Sequence, residues 1–385
     1  MKKLLILILS FTLIITFNTV LYADIEVGRV PQEVNDVLKT EVEGVTVNSW
    51  VTNLKIPWQL VFLPESNRAL VTERTGSIRL IEDGVLQEKP YAIPAVAAEG
   101  EGGLMGLAHH PDFPNQPYIY VMYTYRNQQN ELYNKIVRLT DKGNRGVNEE
   151  TILGKIPGGT VHNGGRIAFG PDDKLYATAG DTWNHSIAQN LDSLGGKILR
   201  LNPDGSIPAD NPFEDSYVYS LGHRNPQGLA WHPETGHLFI SDHGPSGDLG
   251  LHGKDRIKVI EPGGNYGWPK SIGYIEDNEY NNPLIMWQQA TPPSGITFYN
   301  NDLYIATLGS EALIKVELKH QSGYDYQVGK IERWFAEGNY SGVYGRFREV
   351  LKGPKGKLHI LTSNRDGRGN PRNDDDKILK IEIKK

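Results

Sequence analysis

The chain of 385 residues contains no cysteine. Disulfides and thiolate metal sites are therefore excluded, and packing alone must hold the fold. Long apolar runs are nearly absent too. A single one, from Leu4 to about Phe17, follows Lys2 and Lys3 and is cut short by Asn18 and Thr19. It falls short of the roughly 20 residues that span a bilayer. With Leu21-Tyr22-Ala23 behind it, the segment 1–23 reads as a secretory signal peptide, and no cysteine follows to take a lipid. The expected location is therefore exported, extracellular or periplasmic, with no stable membrane insertion of the mature chain. Positive charge is in deficit: 40 Lys and Arg against 46 Asp and Glu give −6, and loss of Lys2 and Lys3 gives −8. Such a surface repels nucleic acid, which is excluded as a partner. No run of like charge exceeds Asp374-Asp375-Asp376, which reads as a solvated turn.

Helical periodicity is weak everywhere after the leader, and 42 glycines and 23 prolines punctuate the chain. What is present is a phrase repeated six times: an apolar strand, a turn led by Pro or Asn, and a second alternating strand. It reads LVFLPESNRALVTER from Leu60, LAHHPDFPNQPYIYVMY from Leu107, IAFGPDDKLYATAGD from Ile167 and LAWHPETGHLFISDHG from Leu229. ITFYNNDLYIATLG from Ile296 and VLKGPKGKLHILTSN from Val350 complete the set. The turn positions 64, 111, 171, 233, 300 and 354 lie 47, 60, 62, 67 and 54 residues apart. Each copy is a hairpin signal with period-2 alternation. The spacing leaves room for two further strands, such as KILRLN (197–202) and LIKVEL (313–318), which makes a four-stranded blade. The expectation is an all-β protein: a single six-bladed β-propeller of antiparallel blades over 45–385, preceded by an N-terminal extension, 24–44. A pair of β-sandwiches would not explain one phrase recurring six times. His110 and His232 share one slot of the phrase, before the turn proline, and so read as structural.

His162 lies outside the phrase, in the connection that leads into a strand, where loops carry function more often than framework does. Other stretches are too dense in Gly, Asn and charge for plain linkers: 100–113, 194–213, 219–233, and SDHGPSGD (241–248) followed by GGNYGWP. Arg224-Asn225-Pro226-Gln227 sets a rigid fork of donors beside an amide, suited to oxygen-rich anions, although a lone arginine also bridges blades through carbonyls. Arg346 and Arg348 stand at i, i+2 on one face of a strand, where they repel unless an anion or acids lie between them.

Together, GGLMGLAHHPDF, HNGGRIAFGPDDKLYATAGD, GGKILRLNPDGSIPADNPF, LGHRNPQGLAWHP, GGNYGWP and RFREV resemble the soluble glucose/sorbosone dehydrogenase family. The resemblance runs from about Val45 to Ile383. It implies a six-bladed propeller that binds pyrroloquinoline quinone (PQQ) with Ca²⁺ and oxidises the anomeric hydroxyl of aldose sugars to a lactone, passing electrons to an external acceptor. It implies that His162 is the general base, a role suited to imidazole, whose proton affinity is matched to neutral pH. Asp181 would orient His162. Arg224 and Asn225 would contact quinone oxygens with Gln227 nearby, and Arg346 and Arg348 would pair with the cofactor's carboxylates. Trp287 matches a tryptophan packed along the cofactor, or else is a strand-edge core aromatic. The carbonyls of Gly244 and Pro245, with help from Asp248 or with Asp248 capping the turn, would serve Ca²⁺, which wants several hard oxygen ligands.

Three positions depart from the pattern. Glu101 stands where relatives place a glutamine beside the cofactor. Gly309-Ser310 stands where they carry a cation, and Asp255-Arg256 is the nearest match to an acidic pair. The first two change the local charge by about −2, which weakens attraction for a polyanion. Two other readings stay open on the sequence: a non-catalytic propeller that binds carbohydrate or a protein partner, and a Ca²⁺-dependent lactonase.

Overall fold

The computed structural model describes residues 25–276 and 279–384. The expected signal peptide lies outside the described residues. All six recurring phrases fold as β-hairpins, and each hairpin forms the inner half of a four-stranded antiparallel blade. Alternate side chains leave a strand on opposite faces, so each phrase buries apolar residues against the blades on either side. Blade 1 is Pro57–Phe62, Arg68–Glu73, Ser77–Glu82 and Val85–Leu86; blade 2 is Leu104–His109, Tyr118–Arg126, Leu132–Asp141 and Gly146–Pro157. Blade 3 is Ile167–Phe169, Leu175–Ala179, Lys197–Leu201 and Val218–Leu221; blade 4 is Pro226–Trp231, Leu238–Asp242, Asp255–Ile260 and Ile285–Trp287. Blade 5 is Pro293–Tyr299, Asp302–Thr307, Leu313–Ser322 and Asp325–Trp334. Blade 6 begins with Phe347–Lys352, Leu358–Thr362 and Ile378–Ile383, and takes its outer strand from Val45–Val51, with Val47 opposite Ile381. The first and last parts of the chain thus share one sheet. Between blades the core is dry: Tyr120, Met122 and Ile136 of blade 2 meet Ile167, Ala177 and Leu199 of blade 3.

The extension ahead of Val45 adds to two further places in parallel pairing. Glu26–Val27 runs beside Ser271–Ile272, and Val37–Lys39 lies along Glu332–Trp334 on the outer edge of blade 5. That pairing covers the last three residues of the outer strand and shields part of its edge. Among the described residues no helix is long and apolar enough to cross a membrane.

The shared histidine slot is structural. His110 Nδ1 accepts the backbone N–H of Asp112 at 3.1 Å, and His232 Nδ1 that of Glu234 at 3.3 Å, so both close the turn.

The acidic run behaves differently from the solvated turn expected. Asp375 and Asp376 are buried, at 2% and 0% exposure. Asp376 accepts the backbone N–H of Asn364 and of Arg365 and the Thr362 hydroxyl, which ties the blade 6 loop 363–377 together. Burial nevertheless pushes its carboxyl up to about 6. A carboxyl raised on folding contributes stability that is complete below its unfolded value and lost as pH rises through the folded one. Compared with Asp376→Asn, the wild type is therefore expected to lose about 2 kcal/mol between pH 4.5 and 7.5, read from urea midpoints. Parallel pH profiles for the two proteins would sink this assignment.

In every blade the start of the first strand and the end of the second lie at the same end of the ring, because the two strands are antiparallel. Glu101, His162, Arg224, Asn225 and Arg346 precede or open first strands; Arg74, Asp181, His243 and Asp366 follow second strands. The topology alone brings these residues to one mouth.

Candidate active site

At that mouth lies a cavity of about 210 Å³, whose wall includes Trp58, Arg74, Glu101, Asn163, Gly164, Gln227, His243, Leu308, Arg346, Arg348, Asp366 and Arg368. Four arginines against Glu101 and Asp366 leave the wall at 4 − 2 = +2, with His243 neutral because burial drops its imidazole to about 3. Arg348 is buried without an ion pair. Its NH1 reaches Gln227 Oε1 at 3.0 Å and Ser294 Oγ at 3.4 Å, but no carboxylate, and its Nε has no partner. Burial lowers its guanidinium to about 9. Arg346 is held by Asp366 through Nε and NH2 at 3.1 and 2.8 Å.

Beside this wall stands His162, 5% exposed, whose Nδ1 is 2.7 Å from Asp181 Oδ1. Its chain neighbours Asn163 and Gly164 line the cavity, and its backbone N–H bonds Glu101 of the wall. The backbone doubles back sharply here. His162 has φ +52°, and a Cβ on Gly180 would stand 1.9 Å from the His162 carbonyl oxygen, so only glycine fits there. Asn163 pins the turn by bonding both the N–H and the carbonyl of Gly159, at 2.9 and 2.7 Å.

All four acceptor positions of Asp181 are used. Oδ1 takes His162 Nδ1–H and the Trp183 backbone N–H at 3.0 Å; Oδ2 takes His185 Nδ1–H at 2.6 Å and Trp268 Nε1–H at 2.8 Å. Burial opposes its ionisation, but the bonds from His162 and His185 outweigh that and hold the carboxyl well below its usual range. An ionised, fully bonded carboxylate fixes the His162 tautomer with the proton on Nδ1. The lone pair is then left on Nε2, which makes His162 a base.

Asn225 and Gln227 converge on the same loop: Asn225 Oδ1 accepts Gly164 N–H at 3.0 Å and Gln227 Nε2–H at 3.0 Å, and Gln227 Nε2 also donates to Gly164 O at 3.1 Å. Asp242, buried at 0% exposure between Arg256 and Lys258, receives Asn225 N–H at 2.8 Å and anchors that turn from below.

Three expected site residues are placed elsewhere. Arg224 does not line the cavity: its Nε and NH2 clasp Asp248 at 2.8 and 2.9 Å, both groups buried. Asp248, with Ser246 N–H also on Oδ1 at 2.7 Å, is thereby occupied by a cation already present and is not free to hold a metal. Trp287 ends the outermost strand of blade 4, in the core shared with blade 5, and its Nε1 donates to Asp36 at 3.3 Å. An outer strand lies too far from the axis to reach the mouth. Among the described residues there is no cluster of three acid or histidine side chains placed to hold a metal. Gly244 is fixed by its N–H to Asp255 Oδ1 at 2.9 Å, which explains why an acid stands at position 255.

The departures are compensated. Glu101 is paired with Arg368 at 2.7 Å and accepts His162 N–H at 3.1 Å. Burial opposes its charge, but Arg368 and that N–H prevail and hold its carboxyl below the usual range. Leu308, rather than Gly309 or Ser310, reaches the wall, and the expected charge deficit is made up by Arg74 and Arg368. Sequence reasoning missed Arg74, His243, Asp366 and Arg368. Arg74 and His243 directly follow a second strand, and Asp366 and Arg368 lie in the loop after one, a placement that carries no local sequence mark.

The fold is a six-bladed propeller that carries a buried His–Asp pair beside a cationic cavity. Residues 54–374 match the Glucose / Sorbosone dehydrogenase family, and the chain belongs to it. It is a sugar dehydrogenase by family, an oxidoreductase. Quinoprotein glucose dehydrogenase B of Acinetobacter calcoaceticus is 35% identical over 65% of this chain and 58% of its own length. Aldose sugar dehydrogenase YliI of Escherichia coli K12 is 30% identical over 84% of this chain and 91% of its own. Among solved structures, the PQQ-bound aldose sugar dehydrogenase of Streptomyces coelicolor superposes with a TM-score of 0.76 at 36% identity, over 88% of this chain and 98% of that one.

Proposed function

We propose that the protein oxidises the anomeric hydroxyl of an aldose to the lactone with PQQ and Ca²⁺, and hands the electrons to an external acceptor. The observation that carries this reading is the His162–Asp181 pair, bonded at 2.7 Å, next to Asn163, Gly164 and Glu101 of a cavity whose wall is net positive. The donor set suits the cofactor. Arg348 Nε and His243 Nε2 are buried without partners, and a flat, polycarboxylated ring answers both the charge and the orphaned groups. Arg74, Arg346 and Arg348 would face its carboxylates, and Gln227 and the amide of Asn225 would order the floor beneath it. The backbone carbonyls of Gly244 and Pro245 would serve Ca²⁺. PQQ, when bound, supplies the two-electron acceptor for the hydride that leaves the anomeric carbon.

The chain's own part is proton chemistry and placement. His162 Nε2 takes the hydroxyl proton as the carbon–oxygen bond gains double-bond character, and Asp181 stabilises the imidazolium that results. Arg224 acts from behind, because its carbonyl accepts the Asp181 N–H at 2.8 Å and its guanidinium locks Asp248 beside His185. Export through the 1–23 leader would place this chemistry outside the cytoplasm.

The test is to add PQQ and Ca²⁺ to purified apoprotein and follow aldose-dependent reduction of an artificial dye. Dye reduction that needs all three components is the expected result. A protein that retains PQQ yet reduces no dye with any aldose sinks the reading, and leaves the lactonase and non-catalytic alternatives.

A further inference from the structure

Trp183 is an anomaly of exposure and of backbone. It is 53% exposed, although a large aromatic is ordinarily among the more buried residues. It has φ +69°, directly after Thr182 at φ +49°. A β-branched and an aromatic residue in succession in the left-handed region are strained, and no turn partner of glycine type relieves them. The strain is imposed locally: the Trp183 N–H is fixed to Asp181 Oδ1, the oxygen that also holds His162. The indole is thereby swung over the active pair. Its ring centroid lies 5.0 Å from that of His162 at an interplanar angle of 41°, and 5.9 Å from that of His185. The fold gains little packing from a ring that is half in water, so packing does not explain why the backbone is held in this conformation.

We infer that Trp183 is the aromatic platform on which the pyranose ring of the substrate rests. The inference rests on the sugar-oxidising reading of His162 and adds a specificity-determining residue to it. A pyranose carries its hydroxyls around an edge and its axial C–H bonds on its faces. Such a face packs on an exposed indole, and dispersion and loss of hydration favour the contact. With the platform tied to the carboxylate that orients the base, one element sets both the sugar's face and the position of its anomeric hydroxyl relative to His162. The recognised class is the closed pyranose form, and open-chain polyols of the same length gain no such face.

The probe for binding is methyl β-glucopyranoside, which has the ring face but no anomeric hydroxyl to oxidise. Saturation-transfer NMR on the apoprotein is expected to show magnetisation passing from aromatic protons to its ring C–H protons, lost in Trp183→Ala and restored in Trp183→Phe. In protein loaded with PQQ and Ca²⁺, Trp183→Ala is expected to raise KM for glucose about tenfold with a much smaller change in kcat, and Trp183→Phe to recover most of it. Trp183→Gly is expected to raise the melting temperature of the apoprotein, because glycine occupies the left-handed region without strain. Unchanged transfer or an unchanged KM in Trp183→Ala overturns the platform, as does a lower melting temperature in Trp183→Gly, which would make Trp183 a packing residue. If the wild type binds the glycoside through Trp183 yet never reduces dye, the oxidation reading falls and the platform stands.

Discussion

Replacing His162 by asparagine is expected to slow sugar-dependent dye reduction at least about 100-fold, the low end for losing a positioned general base. Asparagine keeps a donor toward Asp181, so that carboxylate, with His185, Trp268 and the Trp183 N–H still on it, remains ionised and in place. PQQ retention is expected to be unaffected, because the arginines of the wall do not touch His162. A PQQ-loaded His162→Asn protein that turns over at near wild-type rate would reduce His162 to a loop histidine.

The second large effect concerns Arg348. Arg348→Met is expected to weaken PQQ binding at least about 100-fold, roughly 3 kcal/mol, as for loss of a buried charge contact. The apoprotein itself is expected to be as stable as wild type or slightly more so. The guanidinium it loses is buried without a carboxylate and with Nε unbonded, so removal relieves a desolvated charge. Titration of apoprotein with PQQ and a melting curve without it separate the two effects. A clear fall in apoprotein stability would show Arg348 to be a strut between blade 6, Gln227 and Ser294, and its role in anion binding would have to be given up.

The hairpins were legible because two local signals agree in each copy, period-2 alternation and a turn led by proline or asparagine. The outer strand of blade 6 was not, since Val45–Val51 pairs with residues more than 300 positions away and carries no mark of it. At the site, His162 and Asp181 could be named from one continuous stretch, and Asn225, Gln227, Arg346 and Arg348 from short motifs. Arg224 could be named too, but not its engagement. A guanidinium beside a glycine-rich turn suits an anionic ligand and an internal aspartate equally well, and only the fold shows that Asp248 takes it. Arg74 and Arg368 were invisible for a related reason. Each stands in the connection after an ordinary strand, and only ring closure brings it to the mouth. The run of three aspartates was misread because charge was weighed without the backbone N–H groups that solvate Asp376 inside the protein. Trp287 fitted a motif, but an outer strand cannot deliver a side chain to the axis.

The sheet shared by Val45–Val51 and Ile378–Ile383 also sets the order of events in the chain's life. The sixth blade is incomplete until Ile378–Ile383 has been made, so closing the ring joins Val45–Val51 to a strand made more than 300 residues later. Closure, once reached, is held by a ladder of hydrogen bonds and by apolar contacts such as those of Val51 and Leu54 with Ile378, and with no cysteine in the chain it is indifferent to thiol reductants.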